Sequence, residues 1–280
     1  MSLRTLITGL AACVLLFACM STASAQRWTP FIEPDAFDPD FQWFKPFELD
    51  SYEGLPEAEI GWFLQYDRMN VNVTRGESAP QPWDGDFTWG NRWQLGFMTE
   101  MDNGWLVEVT HIDGPTWEDI NSGNYNAVEI DRVFRLEQFE RGGFCEIFFG
   151  PRWTQFVDTT NTALNSRIEN NMIGGQVGTR WWTQHGHWKL SAEVRGFGLQ
   201  NFQFYTGDQS FDLAEFVPGG DARLEAAYSV TRDISLQVGW ELTYFGRGIG
   251  RNADALDPFT FSSSEDLLIT GLTFGLNFNR

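Results

Sequence analysis

From Ile234 to Phe245 every second residue is apolar: Ile234, Leu236, Val238, Trp240, Leu242 and Tyr244, with Ser235, Gln237, Gly239, Glu241 and Thr243 between them. Side chains alternate across a strand, whereas a helix would spread this set around its circumference, so the segment is a β-strand. One face is greasy and the other holds a glutamate. A half-buried strand in a soluble sheet alternates in the same way. The rest of the chain therefore decides what the apolar face meets.

The pattern recurs. Ten strands are expected, at about 58–66, 91–101, 105–112, 126–138, 144–157, 170–183, 188–204, 222–230, 234–245 and 267–278. Their connections alternate in length. Asp102–Gly104, Phe139–Gly143, Gln184–His187 and Thr231–Asp233 are short and rich in the Gly, Asn and Asp that hairpin turns demand, whereas 67–90, 113–125, 158–169, 205–221 and 246–266 are long. Alternating tight turns and long loops, with an even number of strands, predict an all-β fold: an antiparallel up-and-down transmembrane β-barrel of about ten strands (range 8–12) in a bacterial outer membrane.

In such a barrel lipid takes the place of a protein core, so apolar faces point outward and charged faces line the lumen. That assigns Trp62, Trp93, Trp105, Trp188, Tyr228, Trp240 and Phe274 to the membrane side. Arg152, Arg180, Lys189, Glu193, Arg195, Arg223, Glu225 and Glu241 become the lumen candidates, with opposite charges such as Glu193 and Arg195 free to pair across neighbouring strands. Tyr66, Trp93, Trp105, Trp181, Trp188, Tyr228 and Tyr244 suit the aromatic girdles at the two interfaces.

The first 25 residues have the form of an export signal: Arg4, an apolar run from Leu6 to Met20, and a small-x-small site at Ala23-Ser-Ala25. Leu16-Phe-Ala-Cys19 also has the outline of a lipid-attachment box, which leaves lipidation of Cys19 open beside cleavage after Ala25. Past the signal only Cys145 remains, so the mature chain has no internal disulfide. It would carry 18 basic and 38 acidic residues, a charge of 18 − 38 = −20, which as a whole repels nucleic acid and anionic lipid headgroups. Beyond residue 25 no apolar run is long enough for a membrane helix, so any crossing is made by strands. Residues 26–57 hold five of the eleven prolines, many acids, and Phe31, Phe37, Phe41, Trp43, Phe44 and Phe47. They read as a lead segment (plug, lid or periplasmic arm) ahead of a barrel domain over 58–280. Expected partners are the lipid bilayer and the barrel-assembly machinery.

Catalytic patterns are sparse. Neither G-x-S-x-G nor H-E-x-x-H occurs. His111 lies at the top of the third strand, while His185 and His187 share a tight turn that offers only two ligands to a metal. Asp35-x-x-Asp38-x-Asp40 has carboxylate spacing that suits calcium but lacks the glycine and distal glutamate of an EF loop. No cofactor, resident metal or enzymatic activity is expected.

Gly150-Pro-Arg-Trp153, then Asn170-Asn-Met-Ile-Gly-Gly-Gln-Val-Gly178, then the strand Trp188–Val194, resemble segments of the bacterial outer-membrane porins grouped as the seventh beta-barrel porin family. The resemblance covers about 60 residues well. It implies an outer-membrane barrel and brings no substrate or catalytic residue with it. Pro151 is expected to mark a bulge or strand end, because it removes a ladder hydrogen bond. The chain finishes Phe278-Asn-Arg280 rather than on the aromatic itself. The function expected is a porin-like, weakly cation-preferring passage or a structural envelope role. A secreted soluble β-protein binding glycans through exposed tryptophans and a barrel hydrolase are the alternatives.

Overall fold

A computed structural model describes residues 60–75, 87–114, 116–117, 120–139, 143–160, 167–206, 211–231, 233–252 and 261–279. The signal, the lead segment 26–57 with its Asp35–Asp40 cluster, and Cys19 lie outside the described residues. The strands are β1 (Gly61–Arg75), β2 (Phe87–Met98), β3 (Asn103–Ile112), β4 (Thr116–Trp117), β5 (Ile120–Arg135), β6 (Phe144–Thr160), β7 (Arg167–His185), β8 (Trp188–Thr206), β9 (Phe211–Ser229), β10 (Ile234–Asn252) and β11 (Phe261–Asn279). All pair antiparallel with their neighbours, β1 also pairs with β11, and β3 pairs with β5 past the two-residue β4. The result is a closed barrel of ten strands.

The registers fix its geometry. A row of paired residues runs from Tyr66 through Trp93, Val109, Val128 and Trp153 to Ile173 on β7. The same row followed the other way passes Leu276, Leu236, Tyr228 and Trp188 and returns to β7 at His185. The offset, 185 − 173 = 12, is the stagger on closure. With usual strand spacings this tilts the strands by about 40° and gives a backbone radius of about 10 Å. Ten strands thus enclose a space that side chains can fill.

Closure leaves no free sheet edge through most of the wall. Turns 99–102, 136–143, 186–187 and 230–233 share one end, called lower here, and the other five connections share the upper end. Gly186 takes φ 56° as the first of two turn residues between His185 and Trp188, the conformation a tight hairpin requires there.

The strands are longer than their alternation suggested. β1 runs on to Arg75, and β9 starts at Phe211 inside the stretch 205–221 read as a loop. Pro218 and the pair Gly219–Gly220 disguise that strand. Pro218 is tolerated because the β9–β10 register ends one residue below it, at Phe245↔Gly219. Pro151 likewise neither ends β6 nor bulges it: pairing with β7 is continuous through Pro151↔Gly175. On the β5 side the register lapses between Glu129↔Arg152 and Arg132↔Phe149 and resumes with the same offset, so the proline costs a local gap only.

Candidate functional site in the barrel interior

Alternation sends Trp62, Leu64, Trp93, Leu95, Val194, Leu224, Trp240, Leu272 and Phe274 outward, where all are exposed. Of the assigned exterior residues, Trp105, Trp188 and Tyr228 also face out. Trp62, Trp188 and Tyr228 lie near the lower rim, and Trp89, Trp153 and Tyr244 lie above them toward the other. Trp93 sits mid-wall, as Trp240 does, instead of at a girdle, because β2 continues well past it.

The interior is built in three layers. At the lower end Met98, Leu106, Val133 and Phe148 cluster with Phe63. Beside them a cavity open to the lower mouth is lined by Arg135, Glu146, Arg180, Trp182, Lys189 and Gln237, among others. Lys189 Nζ stands 4.5 Å from the centre of the Trp182 ring.

The middle layer is ionic. Arg195 is buried and reaches Glu193 (2.6 Å), Glu108 (3.0 Å) and Glu129. Arg223 pairs with Glu108 at 3.1 Å and Glu193 at 3.6 Å. Arg92 pairs with Asp67 at 2.6 Å, Glu225 at 3.2 Å and Glu241. Arg152 binds Asp221 and Glu129, and donates to the Tyr125 hydroxyl at 3.1 Å. Arg180 closes the set from below through Glu193 at 2.6 Å. Gln176 donates to Glu129 and Asp131, both at 2.8 Å. A buried charge is tolerated only when paired and hydrogen-bonded, and here each guanidinium meets at least two carboxylates from different strands.

Above it lies an apolar layer: Met69, Val71, Val73, Ile112, Tyr125, Ala127, Phe156, Met172, Phe197, Leu199, Val217, Phe245, Ile249, Leu267 and Ile269. The top of β10 bends inward to cover it. Gly248 has φ 123°, which an L-residue avoids, and the β10–β11 register shifts between Phe245 and Ile249. The segment is held across the lumen by Asn170 Nδ2 to Gly250 O, Asn201 Nδ2 to Gly248 O (2.8 Å each) and Gln203 Nε2 to Gly248 O (2.9 Å). Aromatic faces join the layers: Arg152 Cζ is 4.2 Å from the Phe197 ring centre, and Arg195 Cζ is 5.0 Å from that of Phe148.

The eight lumen candidates all point inward. Arg152, Glu193, Arg195, Arg223 and Glu241 are buried in the middle layer, and Arg180, Lys189 and Glu225 are partly buried toward the lower mouth. Glu193 and Arg195 pair with each other within β8, and across strands with Arg180 and Glu129 respectively. Missing from that set were Asp67, Arg92, Glu108, Glu129, Asp131, Gln176 and Asp221. Asp67 and Asp221 fell in stretches read as loops. Glu108, between the outward Val107 and Val109, was legible from the alternation of β3 and passed over.

The histidines take no part in this interior. His111 faces outward, with Nδ1 2.7 Å from Asn126 Oδ1 and Nε2 3.1 Å from Asp113 Oδ1. His187 stacks on Tyr228 with its Nδ1 2.9 Å from Ser229 O. Among the described residues no group of three or more His, Cys, Asp or Glu is arranged to hold a metal ion.

No protein-family model matches the sequence, and no curated protein sequence does. The resemblance to one porin family is therefore not carried to a family assignment. Among solved structures, the outer membrane protease OmpT from Escherichia coli is similar with a TM-score of 0.56 at 8% identity, over 81% of this chain and 99% of that one. The translocator domain of the autotransporter NalP from Neisseria meningitidis (TM-score 0.46, 12% identity, 81% and 91% covered) and Neisserial surface protein A (0.43, 10%, 80% and 100%) also match. At such identities the OmpT match speaks to fold alone: this chain has the closed antiparallel barrel of that protein.

Proposed function

We propose that the protein is an outer-membrane barrel with a closed lumen, serving the envelope as a structural or anchoring element and not as an open pore. The observation that carries this is the filling of the interior twice over, by a salt-bridged layer and by the apolar layer that the top of β10 covers. An ion would have to displace several paired arginines and then pass an aliphatic and aromatic plug, without hydration in either place. The location rests on the exterior. The many outward Leu, Val, Phe and Trp side chains around the wall suit lipid. The hydrolase reading is set aside because His111 and Asp113 lie on the outside of the wall, away from any cleft.

Planar-bilayer recording of purified, inserted protein tests the closed lumen, with insertion shown by faster gel migration before boiling than after. The expected result is no conductance steps. Steady steps would replace this reading with the porin-like one, whose signature is a weak preference for cations. Trp240→Arg checks the facing: a charge there costs roughly 2–4 kcal/mol on a lipid-facing wall, so the unboiled, fast-migrating form should be largely lost. Unchanged migration would show that this wall does not meet lipid.

A further inference from the structure

We propose that the outer face of β1 and β2 carries a binding site for the phosphate group of a membrane lipid, built on Arg68, Asn70, Asn91 and Trp89. The inference rests on the membrane reading above. Arg68 points out of the wall, two residues above Tyr66, and its strand partners are Asn91 on one side and Phe274 on the other. Every arginine of the interior layer meets carboxylates. Arg68 meets none among the described residues: its Nη1 donates to Asn91 Oδ1 at 2.8 Å, and its Cζ stands 5.1 Å from the centre of the Trp89 ring.

The patch is rich in donors and short of acceptors. Asn91 Oδ1 already accepts from Arg68 and from the Tyr66 hydroxyl at 2.8 Å, and its amide N–H groups have no acceptor among the described residues. Asn70, opposite Trp89, makes no side-chain hydrogen bond among the described residues. The remaining guanidinium N–H groups and the Trp89 indole N–H complete the set. Along the same row the polar residues satisfy one another: His111 with Asn126, then Asn126 Nδ2 to Gln155 Oε1 at 3.4 Å, then Gln155 Nε2 to Asn171 Oδ1 at 3.1 Å. Among the described residues of this row, the β1–β2 end alone keeps spare donors and a positive charge without a carboxylate partner.

Both needs are met by a group that brings a negative charge and several oxygens, as a phosphate does. The surroundings indicate what carries it. Phe274, Leu272 and Trp93, about half exposed, flank Arg68, and Trp89 lies above it toward the upper rim. Arg68 therefore stands just inside the upper aromatic level, where a lipid presents its phosphate and its chains cover the apolar neighbours. A soluble anion would leave those neighbours wet.

Native mass spectrometry of the full chain in non-ionic detergent tests this, with phosphatidic acid or diacylglycerol of the same acyl chains as probes. The wild type should retain phosphatidic acid and not diacylglycerol. Arg68→Gln should retain about tenfold less, the scale of losing one charge-assisted contact. Arg132→Gln, which removes another outward arginine, stacked over Trp105, should retain as much as wild type. Equal retention by wild type and Arg68→Gln, or equal retention of diacylglycerol, would overturn the proposal. So would an Arg68-dependent dimer in the absence of lipid, which would make the patch a contact between copies. Gel mobility before and after boiling, in phosphatidylcholine vesicles, is the separate control. Failure of every form to insert would remove the membrane reading itself, whereas normal insertion of Arg68→Gln confines a negative result to the lipid site.

Discussion

Arg195 shows how the interior can hold so much charge. Its guanidinium meets Glu108, Glu129 and Glu193, which come from β3, β5 and β8, so one side chain ties three strands across the lumen. Surface ion pairs contribute little because water screens them, but a buried pair that loses one partner leaves the other desolvated and unpaired. Arg195→Met should therefore destabilise the barrel by about 3–5 kcal/mol, measured as urea unfolding of the inserted protein. A loss below about 1 kcal/mol, the range of an exposed pair, would mean that water reaches this layer and relieves the carboxylates. That result would also weaken the case for a closed lumen.

At the scale of the strands, much of the fold was legible. Each of the ten expected strands corresponds to one observed strand, because outward apolar positions were unmistakable wherever they met the bilayer-like exterior. The upper parts of β1, β9, β10 and β11 were not. There β1 carries Arg68, Asn70 and Asn72 on its outer face and Met69, Val71 and Val73 inside, so its hydrophobic face changes sides of the wall. Alternation persists, but with the opposite sense, and a reader following the apolar face loses the strand at that switch. The interior layer suffered for the same reason, since Asp67 and Asp221 sit where the assigned strands stopped. The revised boundaries alter what insertions should do. A short epitope between Thr206 and Phe211 should be reachable by antibody on intact cells, and one beside Gly186 should not. An epitope at Val217, within 205–221 but buried in β9, should prevent folding. Surface labelling beside Gly186 would invert the topology, and a folded, labelled Val217 insertion would contradict the strand.

For the whole molecule, the stacking of an apolar layer on an ionic one means that either alone should block the lumen, and this can be separated from stability. Phe197 and Phe245 lie with ring centres 5.1 Å apart at the heart of the upper layer, Phe245 also meets Tyr125, and Gly219 faces the Phe197 ring so closely that a Cβ would collide with it. Replacing both phenylalanines by alanine should cost about 3–5 kcal/mol apiece, because cavities form that a closed wall cannot collapse to fill. The boiling-sensitive gel shift should then occur at a lower temperature. Conductance should stay absent, since Arg152, Arg195 and Arg223 still bridge the lumen beneath the new space. If the double variant conducts, the ionic layer is permeable and the upper layer was the only gate. If instead it stays silent while a further Arg195→Met restores no current either, the barrel is closed by more than these two layers, and the inward bend of β10 at Gly248 is the next place to cut.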